Sequence, residues 1–217
     1  MSTLAELRDL LETDLDDAGN ATWSTDEIDR GIQRALNEYS GSNPQESVDT
    51  VELSSDGREI DISSASVMRL DSVWFPYDAS DPAHPPNWVR WSLWGDTLYI
   101  ISGDEPASGE VVRLFYQALH TIDGLNGESS TTVPAGDEEI LVLGAGAHCA
   151  LQKGRSAIGE AGVSGETPEH WLRWAAPRMD AFNEALRRVR QRELLKLDKR
   201  VPLFREGWER DSVDDGI

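Results

Sequence analysis

Few residues of this 217-residue chain stand where catalysis could start. His148 beside Cys149 is the one pair that pairs an imidazole with a thiol. Consecutive helical side chains point about 100° apart, so the two do not face each other, and a buried structural cysteine is the simpler reading. His120 and Asp123 flank a loop and could hydrogen-bond, which is thin support for an acid–base pair. No glycine loop ends in Lys-Ser or Lys-Thr, no nucleophile elbow occurs, and no two histidines are spaced for zinc. The run Gly162-Val163-Ser164-Gly165 lacks the glycine two places before the serine and reads as a turn. Asp14, Asp16 and Asp17 lack the spacing and glycine of a calcium loop, and solvated surface is expected of them. The residues therefore predict a protein that is not an enzyme, with no cofactor and no metal.

Charge is more telling. Forty Asp and Glu against twenty Lys and Arg leave a net charge of -20, which disfavours nucleic acid or an anionic membrane as a partner for most of the surface. Residues 1–150 hold 7 basic and 28 acidic residues, and residues 151–210 hold 13 and 9. The basic excess concentrates in Arg187, Arg188, Arg190, Arg192, Lys196, Lys199 and Arg200. Such a run is either a solvated helix face or a docking element for an acidic surface. Leu203, Phe204 and Trp208 follow it on a segment with no period of its own, as anchors for a partner's pocket would. Only three of the twenty basic residues are lysine. That scarcity is the composition of proteins from salt-loving microbes, where salt screens the dense carboxylates, or of arginine-favouring codon bias.

Trp74, Trp88, Trp91 and Trp94 could stack on a sugar face. Trp88, Trp91 and Trp94 differ in parity, so a single strand cannot present all three on one face, and core or interface packing is the commoner use. The single Cys149 excludes an internal disulfide. No signal peptide, membrane-spanning run or lipidation motif is legible, so the expectation is an intracellular protein or part of an assembly built inside a cell.

The elements that must carry these residues are well punctuated. Thr3 with Glu6 and Ser24 with Glu27 predict two capping boxes. Leu4, Leu7, Leu11 and Leu15, then Ile28, Ile32, Ala35 and Tyr39, give two apolar helix faces, the second stopped by Gly41 and Pro44. Trp23 with Ile28 fits a hydrophobic staple. This opening hairpin could pass for a DNA-reading helix-turn-helix, but Asp26, Glu27, Asp29 and Glu38 beside Arg30 and Arg34 would repel phosphate. Strands are predicted over 48–53, 58–62, 67–75, 88–94, 97–101 and 111–118, with Gly95-Asp96 as a hairpin turn, forming a small antiparallel barrel or sandwich. The loop 77–87, with Pro82, Pro85 and Pro86, is irregular and exposed.

Helix returns over 140–151, where Gly144, Gly146, Ala147 and Ala150 imply close approach of a neighbouring backbone, in the same chain or another subunit. A last helix opens at Thr167-Pro168, with Trp171, Ala175, Met179, Phe182, Leu186 and Val189 stepping along one face and Pro177 expected to kink or split it. The fold class is α+β: a helical hairpin over 1–46, an inserted β-domain over 47–119, helices over 120–200 that complete the bundle, and an extended arm over 201–217.

Taken together, the chain resembles the head–tail connector, or adaptor, proteins of tailed phages and tailed archaeal viruses. The residues that carry the likeness are Trp23, Ser24, Glu27 and Ile28 with Ala35 to Tyr39, then Val111 to Tyr116, His120 to Leu125, Thr131 to Pro134, and the arginine-rich final helix. The likeness spans most of the chain in pattern, without an invariant motif. Simpler adaptors are nearly all helical, and the inserted β-domain departs from them toward the adaptors of some short-tailed phages. The resemblance implies a structural virion protein at the head–tail junction, made in the cytoplasm of a host that the composition suggests is halophilic. It implies a twelve-fold ring of identical copies under the portal protein, leading the DNA channel to the next neck or tail protein, with viral DNA only passing through and no membrane contact. Arg187, Arg188, Arg190, Arg192, Leu203, Phe204 and Trp208 would dock on the portal, and Gly144, Gly146, Ala147 and Ala150 would pack subunits together. A DNA-binding or glycan-binding module is the alternative.

Overall fold

A computed structural model describes residues 2–17, 21–83, 86–159 and 167–198. The described chain divides into two units, one made of residues 1–43 and 121–217 and the other of residues 44–120. The fold is mixed helix and sheet, of the α+β class.

In the first unit, α1 (Leu4–Asp14) and α2 (Thr25–Ser42) open with the expected caps. The Glu6 carboxylate accepts from the Thr3 N–H at 2.8 Å, and the Glu27 carboxylate accepts from the Ser24 N–H at 2.9 Å. Each bond satisfies a donor that the helix itself leaves open. Gly41 does not stop α2; the helix runs one residue past it, and Asn43 caps it by donating its N–H to Tyr39 O. A short 3-10 turn, Ala135–Asp137, leads into α3 (Glu138–Gly159), and α4 spans Thr167–Asp198.

Of the kink or split expected at Pro177, the split does not occur, and α4 is continuous through it. Pro177 lies on the exposed side, where water can meet the carbonyl that the missing N–H frees, while Ala175, Phe182, Leu186 and Val189 stay buried against the rest of the unit. The core gathers Leu4, Leu7 and Leu11 of α1, Ile28, Ile32, Ala35 and Tyr39 of α2, Leu141, Ala145 and Cys149 of α3, and this face of α4.

The second unit has six strands: β1 (Gln45–Glu52), β2 (Glu59–Asp61), β3 (Arg69–Trp74), β4 (Arg90–Trp94), β5 (Thr97–Ile101) and β6 (Val111–Ala118). They form two antiparallel three-stranded sheets, ordered β1-β6-β3 and β2-β5-β4. Of the barrel or sandwich expected, the closed barrel is not formed. Closure needs a continuous ladder, and here the outer strands of each sheet end it, with one isolated bridge, Trp74 to Trp88, between β3 and the approach to β4. Both sheets line one apolar cluster that includes Ile60, Val73, Leu98, Ile100, Val112 and Leu114. The β4–β5 turn falls at Gly95, whose φ of +57° a side chain would resist.

Candidate functional site

The arginine-rich run lies on α4, but its members have different surroundings. Arg187 and Arg188 are 76% and 75% exposed and face Glu184 at 3.5 and 3.3 Å, as i,i+3 and i,i+4 pairs. Pairs this exposed contribute a few tenths of a kcal/mol. Arg190 is also exposed, as are Leu194 and Leu195 one turn further on.

Arg192 is engaged within the chain. Its guanidinium forks onto Asp137, donating to Oδ2 at 2.5 Å and Oδ1 at 3.2 Å. Asp137 is buried, and its Oδ2 also accepts from the Tyr39 hydroxyl at 2.6 Å. Asn43 Nδ2 in turn donates to that hydroxyl at 2.6 Å. Burial, followed by the bond to Asp137, pushes the Tyr39 phenol well above its ordinary value. Arg192 therefore has a partner within the chain, while its side chain stays 48% exposed. Among the described residues of the run, Arg187, Arg188 and Arg190 form an outward basic face. Leu203, Phe204 and Trp208 lie outside the described residues.

The small residues of α3 serve the chain's own core. A Cβ on Gly144 would lie 2.6 Å from the Phe182 ring, and one on Gly146 would lie 3.2 Å from Asp14 and 3.4 Å from Leu11. Ala147 and Ala150 are fully buried. The space that these glycines leave is filled by side chains of α1 and α4 of the same chain.

The solvated role expected of the aspartates holds for Asp16 alone. Asp14 accepts a two-point bond from Arg178 at 2.7 and 2.9 Å, and that guanidinium stacks 3.9 Å over the Trp174 ring. Asp17 is buried and accepts from the backbone N–H groups of Thr22 and Trp23 at 2.8 and 2.9 Å. It closes the turn between α1 and α2.

His148 and Cys149 are not assembled as a catalytic pair. Cys149 Sγ sits 3.7 Å from Glu27 O, and burial pushes its thiol up to about 12, so no thiolate forms near neutrality. His148 turns away to Glu38, with Nε2 3.1 Å from its carboxylate. Burial lowers the imidazole's pKa, against the opposing pull of Glu38. Asp123 is tied by its backbone, with its carbonyl accepting from Leu4 and its N–H donating to Thr131. Among the described residues no three metal-ligating side chains gather, and no helix is long and apolar enough to cross a membrane.

The tryptophans of the second unit divide. Trp74 packs edge-on against Trp88 at 6.3 Å and tilted against Phe115 at 4.5 Å. Arg113 lies over the Trp74, Tyr77 and Phe115 rings and donates to the Tyr77 hydroxyl. Trp91 packs against the sheet core, and Trp94 stands 78% exposed. By the β4–β5 register, Trp94 shares its outward face with Tyr99 and Ile101, both exposed.

Sequence reasoning missed a groove of about 750 Å³ in the helical unit. Leu10, Thr13 and Asp14 of α1, Glu139, Val142 and Leu143 of α3, and Arg178 of α4 line it, with Glu138 and Ile140 beside them. Leu10 is half-exposed there, although it falls between the buried Leu7 and Leu11. A leucine off the buried helix face was the available signal.

The chain matches no protein-family model, and no curated protein matches it.

Proposed function

We propose that this chain is a structural virion protein of the head–tail adaptor type, the family that its sequence pattern resembles. Copies form a twelve-fold ring beneath the portal and lead the DNA channel to the next neck or tail protein. The helices before and after the β-unit form the ring wall, and the inserted β-unit meets a partner of its own. The observation that carries this reading is the charge layout of α4. On a chain of net charge -20, Arg187, Arg188 and Arg190 face outward near the end of a 32-residue helix, followed by exposed Leu194 and Leu195. A basic face with apolar residues at its tip is suited to an acidic partner surface, and the portal is that partner. The carboxylate-rich remainder repels DNA and lets it slide during ejection. Molar salt in the host screens the carboxylates from one another.

Immunogold labelling of purified virus particles with antibody to this chain tests the assignment. Gold at the junction of head and tail is expected. Particles without gold, and the protein free in the cell, would sink it in favour of a DNA-binding or glycan-binding module.

A further inference from the structure

β1 presents a long free edge. It is an outer strand of the β1-β6-β3 sheet, eight residues long, and pairs with β6 in one continuous register, from Gln45 with Ala118 to Glu52 with Val111. Proline and a bulge are two devices that keep an edge strand from pairing with another chain, and β1 has neither. Its side chains are open as well, with Glu46, Val48, Asp49, Thr50 and Glu52 exposed.

Hydrogen-bond parity fixes which backbone groups stand on that edge. Leu53, just past the strand, donates its N–H to Glu110 O at 2.9 Å and so turns toward β6. In an antiparallel ladder the N–H and C=O groups of successive residues alternate between the two sides. Gln45, Ser47, Asp49 and Val51 therefore turn theirs to β6, and Glu46, Val48, Thr50 and Glu52 turn theirs to the free edge. Thr50 lies near the middle of that row. Its N–H is already taken, donating to Asp49 Oδ1 at 2.7 Å. A strand added over the middle of β1 needs that N–H for its own ladder. It also meets the carboxylates of Glu46, Asp49 and Glu52, on a strand that carries no basic residue.

We infer that Asp49 holds the β1 edge shut against strand addition, by occupying the Thr50 N–H and by placing charge beside it. The two parts respond differently to salt. Repulsion between the carboxylates of two copies fades beyond about 3 Å in molar salt, whereas a bond to a backbone N–H at contact distance persists. In molar salt the bond is the part that remains. Once it is lost, the same strand of a second copy pairs with the opened edge. This inference concerns the β-unit alone and stands apart from the adaptor reading.

Sedimentation velocity on the full chain in molar KCl tests it. Asp49→Val removes both the acceptor and the charge, and is expected to strengthen self-association about tenfold or more over wild type. Asp49→Asn keeps an oxygen acceptor in the same place and loses only the charge, so it is expected to sediment like the wild type. Adding Thr50→Pro to Asp49→Val deletes the N–H on the open edge, where proline is tolerated, and is expected to return the chain to wild-type behaviour. Circular dichroism checks that each variant folds. Asp49→Val that associates no more than wild type, Asp49→Asn that associates like Asp49→Val, or association that survives Thr50→Pro would each overturn the proposal. Hydrogen exchange followed by nuclear magnetic resonance tests the wild type itself. Relative to its rate in an unstructured chain, the Thr50 amide is expected to exchange about tenfold or more slowly than the Val48 and Glu52 amides on the same edge. Equal slowing of the three would overturn the proposal without any variant.

Discussion

Replacing Arg192 by glutamine removes the guanidinium from Asp137 and leaves that carboxylate, whose side chain is 7% exposed, beside the Tyr39 hydroxyl. Two limits bracket the cost. Breaking one side of a fully buried pair costs about 3–5 kcal/mol, whereas an exposed pair contributes about 0–1 kcal/mol. Here the carboxylate is buried and the guanidinium is 48% exposed, so water partly screens one member. A value between the limits, about 2 kcal/mol, is expected, or about a thirtyfold loss in the folding equilibrium. Arg188→Gln is the matched control. It lies one turn earlier on the same helix and faces an exposed Glu184, so its loss costs about 0.5 kcal/mol or less. Urea unfolding followed by far-ultraviolet circular dichroism reports chiefly on the helices. With a urea slope of about 2 kcal/mol per molar, Arg192→Gln lowers the midpoint by about 1 M. Equal midpoints for the two variants would show that the Asp137 network contributes no more than a surface pair.

Gly144→Ala tests the close approach of α3 and α4. The new methyl meets the Phe182 ring at 2.6 Å, and overpacking of about 1–3 kcal/mol outweighs the gain of about 1 kcal/mol in helix propensity, so Tm falls. A raised Tm would mean that the ring moves aside freely. Acid should expose the role of Asp17. Burial raises its pKa, but the N–H donors from Trp23 and Thr22 outweigh that and hold it below the ordinary range. Because the folded value is the lower one, this contribution is present above the unfolded value, about pH 4, and is lost as pH falls through the folded value. Urea midpoints for Asp17→Asn should therefore fall less steeply with acid than those of the wild type, and parallel acid limbs would count against the capping role.

Local features of this chain were legible because the forces behind them act over a few residues. Thr3 with Glu6 and Ser24 with Glu27 cap their helices through bonds three residues apart, and the alternation in 97–101 needs only a period of two. The strands lie within a few residues of where patterning puts them, and Gly95 makes the turn expected of it. Partner choice is a different matter. Arg192 and Arg188 are the same residue type on one helix, and no local rule separates them; the separation comes from Asp137, fifty-five residues away, on the adjoining helix start. Asp14 reads as a solvated acid because its donor, Arg178, arrives only when α1 and α4 pack, and Asp17 does so because the backbone N–H groups of Thr22 and Trp23 carry no side-chain signature. Whether six strands close or divide depends on which edges meet across loops, which strand patterns leave open. The groove beside Leu10 is also a product of packing, since its walls come from three helices. Sequence alone determined the elements, their caps and the charge asymmetry. Tertiary structure decided which charges are already satisfied and which face outward, because burial and long-range pairing are properties of assembled neighbours.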